Sequence, residues 1–241
     1  MNKQNKLPPS CIHPTLAAKL IHETIGHLAE AESILRATAK NAPWYKMPRI
    51  SPKITVIDFA TEAFGKPVPL PMYTDDEGTP TRDVTVIKGG QIQDIMTSVD
   101  TAAKLNLPLT GNARKDDPED IPLARMRNTA LLPGTDCPEA MLASLDTGFY
   151  LVDSELDLSD HITGEFVSII SEGYLVQDGK IAQRLPPCFI TGEVSDFMQS
   201  ITMVGNDFAW ITDTCDIEGQ VLDIAAGAPT ILATLDFRSC R

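Results

Sequence analysis

Apolar residues at Leu16, Leu20, Ile21, Leu28, Ala31 and Leu35 recur at helical spacing, with no proline between Thr15 and Lys40 and Gly26 the only glycine. The pattern predicts the chain's longest helix over residues 15–40. Pro14 suits its first turn, where a missing N–H is no loss, and Asn41-Ala42-Pro43 ends it. Beyond that point the period changes from 3.6 to 2. Residues 53–58 alternate β-branched and polar side chains and read as a strand. Residues 84–88, Gly89-Gly90 and residues 91–96 read as strand, tight turn, strand. Further strands are expected at 127–132, 149–152, 165–171, 173–177, 208–211 and 230–235. Asp178-Gly179 turns the 173–177 strand back into 180–182. Short helices are expected at 98–105, 137–146 and 194–204. Residues 64–80 hold Pro67, Pro69, Pro71 and Asp75-Asp76-Glu77-Gly78, a long polar loop of the kind that shapes clefts.

Repeated hairpins predict an α+β fold of mostly antiparallel β-sheets, with the long N-terminal helix packed on one face. No internal repeat or shift in composition marks a boundary, so residues 1–241 read as a single domain. The 43% hydrophobic content is enough for a full core. The net charge of −13 argues against nucleic acid as a partner, since the 20 Lys and Arg form no positive footprint. No apolar run reaches membrane-spanning length, and Met1 to Lys6 lead into no signal core. A cytoplasmic protein without membrane attachment is the expectation. The five cysteines include no C-x-x-C pair and suggest reduced thiols, one of which can serve a metal.

The candidate chemistry lies inside the predicted helix, at His22-Glu23-Thr24-Ile25-Gly26-His27. Two imidazoles can hold Zn²⁺, and an adjacent carboxylate can handle a water proton. Their spacing is one residue longer than the familiar H-E-x-x-H. On a regular α-helix, five residues leave the two rings roughly 140° apart. A π-type turn with an i→i+5 bond returns them to nearly one side, and Gly26 lets the backbone deform. The spacing therefore predicts a local irregularity at 22–27. An ordinary amphipathic helix with Glu23 and His27 as a solvated i,i+4 pair is the other reading. A third ligand stays open between Glu30, one turn beyond His27, and a cysteine. His13 and His161 belong to no motif and read as surface or satisfied core residues. A Cys-His nucleophile would leave the His-Glu-x-x-x-His grouping unexplained.

The order of motifs resembles the catalytic, C-terminal half of the TldD/PmbA family of metallopeptidases. The matching pieces are His22-Glu23-x-x-x-His27 with Glu30 and Glu32, Asp76-Glu77-Gly78-Thr79-Pro80, Val86-Ile87-Lys88-x-Gly90 and Thr110-Gly111-Asn112-Ala113-Arg114. They continue through Arg125-Met126-Arg127-Asn128-Thr129, Leu132-Pro133-Gly134, Thr163-Gly164-x-Phe166 and Ser171-Glu172-Gly173-Tyr174-Leu175. Met203-Val204-Gly205-Asn206-Asp207, Cys215-x-x-x-Gly219-Gln220 and Gly227-Ala228-Pro229-Thr230 close the series. The resemblance spans residues 14–236.

It implies that His22, His27 and Cys215 are zinc ligands and that Glu23 is the general base. Glu30 then braces a His ring from outside the ligand set. Arg114 and Asn128 either hold the substrate backbone and its oxyanion or anchor their loops. The implied activity is hydrolysis of peptide bonds in unstructured peptides or a peptide-derived metabolite, with substrate extended along a sheet edge. The implied assembly is a homodimer, or a heterodimer with a TldD/PmbA-family subunit. The rival reading is a non-catalytic partner subunit, which the retained His22, Glu23, His27 and Cys215 disfavour. Three departures stand out. The N-terminal α/β domain of the family is expected to be absent, the segment from His27 to Asp75 is short, and Asp216 replaces a usual glycine after Cys215.

Overall fold

The structure, a computed structural model, describes residues 9–37, 42–47 and 50–239. The expected helix end at Asn41, the connector residue Pro48 and the fifth cysteine, Cys240, lie outside the described residues. Two curled sheets enclose one helical segment. The larger has eight strands. Its main path runs Met203–Val204, Ile231–Thr234, Pro9–Ile12, Thr147–Ser159, Glu165–Gln177, Cys188–Glu193 and Asp236–Ser239, with Lys180–Arg184 also on Glu165–Gln177. The smaller has six strands in the order Ala209–Ile217, Gln220–Ala228, Asn128–Leu131, Val56–Phe59, Val84–Lys88 and Gln91–Ile92. Pairing is antiparallel except where Pro9–Ile12 meets Thr147–Ser159 and Gln220–Ala228 meets Asn128–Leu131.

The helix Pro14–Ile21 packs against Gln220–Ala228 on one side and Thr147–Ser159 on the other. Leu16, Ala17, Ala18, Leu20 and Ile21 have no exposed surface. A helix covered on both sides must be apolar nearly all round, and only Thr15 and Lys19 are less than buried. His13 caps it, its Nδ1 accepting from the Thr15 N–H at 3.3 Å.

The expected single helix over residues 15–40 is replaced by three segments. The α-helix Pro14–Ile21 passes into a π-helix at His22–Gly26, and a separate α-helix occupies Ala31–Arg36. The break falls at Glu30, whose backbone is extended at φ −75° and ψ 129°. There the chain pairs with a distant segment: the Ala31 N–H donates to the Met96 carbonyl at 3.0 Å, and the Met96 N–H to that of Ala29 at 2.8 Å. Local helical periodicity gave way to this tertiary pairing.

Other boundaries moved for comparable reasons. Residues 165–171 and 173–177 form one strand, Glu165–Gln177, because Gly173 does not interrupt it. A Cβ there would lie within 3.3 Å of Leu151, Leu185 and Ile170, so the glycine serves close packing. The expected helix over 194–204 ends at Ser200, and Met203–Val204 joins the large sheet. Among the described strands of the two large sheets, Pro9–Ile12, Cys188–Glu193, Gln220–Ala228 and Asp236–Ser239 carried no recognised signal. Gln220–Ala228 ends in Ala225-Ala226-Gly227-Ala228, residue types depleted in strands, yet all four are buried.

Candidate metal centre

His22 and His27 sit at the two ends of the π turn. The His27 N–H donates to the His22 carbonyl, the i→i+5 bond that the spacing required. The two ring centroids are 4.7 Å apart, inclined at 74°. Gly26 is needed here for a different reason than backbone freedom. A Cβ at this position would fall 1.9 Å from the Met126 Sδ, so the turn packs directly on that side chain.

Cys215 arrives from the smaller sheet. Ala209–Ile217 and Gln220–Ala228 form a hairpin whose turn, Glu218-Gly219, has φ of +57° and +80°, as a two-residue type I′ turn demands. Asp216 serves that turn, its Oδ1 accepting from the Gly219 N–H at 2.9 Å. Alternation then directs Cys215 inward, and it is the one buried residue of its strand. One donor atom from each of His22, His27 and Cys215 lies within 4.8 Å of the others.

A ring of bonds holds these donors. His27 Nδ1 lies 3.0 Å from Glu30 Oε2, leaving Nε2 directed at Cys215 Sγ, 3.4 Å away. Glu30 Oε1 accepts from the Met126 N–H at 3.1 Å and faces Arg125 Nε at 3.6 Å. Arg125 donates in turn to the carbonyls of Cys215, at 2.9 Å, and Gln220, at 3.3 Å. The extended backbone at Glu30 thus lets one carboxylate tie the imidazole to the loop that grips the cysteine strand. Arg125 was recognised only as part of a motif. Its role has no local signal, because its side-chain partners Glu30, Cys215 and Gln220 are 90 or more positions away.

Burial sets the charge states. It pushes the pKa of His22 down to about 3, helped by His27, and that of His27 down to about 3, helped by Arg125. Both rings are therefore neutral and have a lone pair to offer. Burial raises the Cys215 thiol to about 12 and Glu23 to about 8, the latter aided by Asp157. Glu30 is also raised by burial. His22 Nδ1 is buried without a hydrogen-bond partner. Two neutral imidazoles, one of them with an orphaned nitrogen, a thiol and two destabilised carboxyls form a set that a divalent cation would satisfy. The donor types suit zinc.

A cavity of about 240 Å³ opens onto the group between the two sheets. His22 and Glu23 line it, with Glu155 and Asp157 from the large sheet and Asp213 from the cysteine strand. A larger hollow of about 1030 Å³ over Phe166, Thr191 and Glu193 touches Ser159 but contains none of the donors.

The expected residues divide clearly. His22, His27 and Cys215 converge, Glu23 lies beside them, and Glu30 braces His27. Arg114 and Asn128 do not join the group. Arg114 donates to the carbonyls of Met126 at 2.6 Å and Asp223 at 2.7 Å. Asn128 bonds the Leu70 N–H, the Leu70 carbonyl and the Phe59 carbonyl, which anchors the 64–80 loop. His161, read from the sequence as a surface or core residue, instead stacks on His27 with centroids 4.7 Å apart and planes 26° apart. Its pKa is lowered to about 4 by burial and by His27.

The fold and the buried donor set together define a two-sheet domain with a candidate His-His-Cys metal-binding group at its centre. Residues 8–235 match the PmbA/TldA metallopeptidase C-terminal domain, and the chain belongs to that family. It is 32% identical over 225 residues to the zinc metalloprotease TldD homolog of Saccharolobus solfataricus, covering 92% of this chain and 49% of that protein. It is 31% identical over 214 residues to the metalloprotease TldD homolog of Buchnera aphidicola subsp. Schizaphis graminum, covering 88% and 44%. In structure it is similar to TldE from Thermococcus kodakarensis, with a TM-score of 0.72 at 18% identity over 97% of this chain and 51% of that one. The chain spans about half the length of these relatives. Among the described residues, no helix is long and apolar enough to cross a membrane.

Proposed function

We propose that this domain is the catalytic half of a zinc-dependent peptidase acting on unstructured peptides or a peptide-derived metabolite. The observation that carries the reading is the convergence of His22, His27 and Cys215 within 4.8 Å, with Glu23 beside them at a cavity. Two imidazoles and one thiolate are a catalytic rather than a structural zinc set, since a structural site is closed by a fourth protein ligand. Bound zinc supplies Lewis-acid charge and makes a coordinated water more acidic. Glu23 takes the proton from the attacking water and returns it to the leaving amine. Its raised pKa falls when a cation sits next to it, which restores the carboxylate it needs to be a base. Glu30 and Arg125 keep His27 and the cysteine strand in register.

The strand Ala209–Ile217 lies at the edge of the smaller sheet, with a strand partner on one side only among the described residues. An extended peptide adding to that edge meets Asp213 and Cys215 on one face and the Glu155–Asp157 wall opposite. Backbone pairing of this kind favours unfolded substrates of varied sequence. Assembly with itself or with a TldD/PmbA-family subunit completes the proposal.

The test is metal analysis of the purified chain joined to an assay on unfolded peptides, alone and with candidate partner subunits. About one zinc per chain and metal-dependent cleavage are expected. Glu23→Gln should keep the metal and lose cleavage. Persistent cleavage by that variant removes Glu23 from the mechanism, and failure to bind zinc at all removes the peptidase reading.

A further inference from the structure

The Glu23 carboxylate is held from a direction unrelated to the metal group. Its Oε2 accepts from Ser159 Oγ at 3.2 Å, while Oε1 faces His22 Nε2 at 3.9 Å. Ser159 Oγ also lies 3.1 Å from His161 Nε2, and His161 Nδ1 lies 3.5 Å from Ser33 Oγ. A hydroxyl has a single proton. When Ser159 gives it to an ionised Glu23, the Ser159 oxygen is left to accept, so the imidazole hydrogen must sit on Nε2 of His161. Nδ1 then accepts from Ser33. This one arrangement satisfies all four groups: Ser33 to His161 to Ser159 to Glu23. The stack of the imidazole on His27 fixes the ring plane as well.

We propose that His161, acting through Ser159, is a positioning residue for Glu23. It holds one carboxylate oxygen so that the other stays turned to the His22 side, where a water has to be deprotonated. The inference rests on the reading of Glu23 as the base. Ser159 ends the long strand Thr147–Ser159, so the large sheet orients the base while the π turn and the smaller sheet supply the donors. A loose carboxylate loses the alignment that proton transfer needs, without losing substrate contacts.

Ser159→Ala, His161→Ala and His161→Gln are compared in the full chain, with zinc content and circular dichroism measured on each. The expected result is a fall in kcat of about 10–100-fold for both alanine variants, KM within about twofold, and about one zinc per chain. His161→Gln, whose amide can donate near the Nε2 position, recovers most of the rate. On the residual rate that Glu23→Gln retains over the metal-free protein, His161→Ala has no further effect. A readout independent of turnover is the ¹⁵N spectrum of the imidazoles in the zinc-loaded protein, where Glu23 is ionised, which should show the Nε2–H tautomer at His161. An unchanged kcat in His161→Ala, a glutamine variant no better than alanine, additivity with Glu23→Gln or an Nδ1–H tautomer each overturns the proposal. If Glu23→Gln itself leaves cleavage intact, the reading of the base has failed instead.

Discussion

The Nε2 of His27 lies 3.4 Å from the Sγ of Cys215, across 188 positions of sequence. A π turn presents the nitrogen, a hairpin presents the sulfur, and Arg125 bonds the Cys215 carbonyl while facing the glutamate that holds the other side of the imidazole.

Replacing Cys215 with serine leaves two imidazoles and a hydroxyl, a much poorer donor for zinc. Zinc content should fall well below one per chain after dialysis against a mild chelator, and metal-dependent cleavage should vanish. Stoichiometric zinc in Cys215→Ser would show that the sulfur is no ligand.

Zinc affinity should rise steeply with pH. The Cys215 thiol, at about 12, is protonated in the metal-free protein and must lose its proton to bind; Glu23, at about 8, loses one as well when a cation arrives. The imidazoles, near 3, release nothing. Between pH 6 and 7.5 the apparent Kd should tighten by about one to two decades per unit, read by chelator competition. Glu23→Gln should bring that slope to about one. A slope near zero in the parent protein contradicts the thiolate.

Metal-free stability should move in the opposite sense. The folded pKa of Glu23, about 8, is above the ordinary value of 4.5. A raised folded pKa contributes stability fully present below about pH 4.5 and lost as pH rises through about 8. Glu23→Gln cannot ionise, so it should unfold at higher urea than the parent at pH 8.5, by roughly 2–4 kcal/mol, and equally at pH 4.5. The comparison is made in excess chelator. Equal stability at both pH values would place Glu23 in a wetter site than this one.

Gly26→Ala should push Met126 out of its buried seat, at a cost of roughly 1–3 kcal/mol, and weaken zinc binding by disturbing the π turn. Met126→Ala in the same chain should recover part of both losses, because it vacates the space that the new methyl group needs. Urea unfolding and zinc titration of the two variants check this. If the double variant is no better than the single, the glycine serves the turn's backbone and not its packing.

The cavity beside Glu23 is lined by Glu155, Asp157 and Asp213, and its one lysine, Lys19, is paired with Asp153 at 2.7 Å. Peptides carrying Lys or Arg near the scissile bond should show a lower KM than Glu-substituted versions, and the gap should narrow as salt is raised. Equal KM values at low salt would place the substrate away from this wall.

What the sequence determined by itself was local geometry with a chemical purpose. Two histidines five positions apart, next to a glutamate and a glycine, cannot share an ion on a regular helix, so spacing pointed to a π turn while leaving an ordinary amphipathic helix as the other reading. Two hairpins were legible, since Gly89-Gly90 and Asp178-Gly179 allow positive φ where a tight turn requires it, whereas the Glu218-Gly219 hairpin that carries Cys215 was not. What only the tertiary structure decided depends on distant partners. The helix breaks at Glu30 because the chain there pairs with Met96, a contact that no periodicity can announce. Gln220–Ala228 is a strand because its small residues let the helix Pro14–Ile21 lie close against it, although those residues are poor strand formers in isolation. His161 stands near the donors because the large sheet curls back over the π turn, and nothing beside it in the chain points there. Backbone preferences act over a few residues, whereas a buried polar group takes whatever partner the folded core supplies, and its identity is written in the packing of the whole domain.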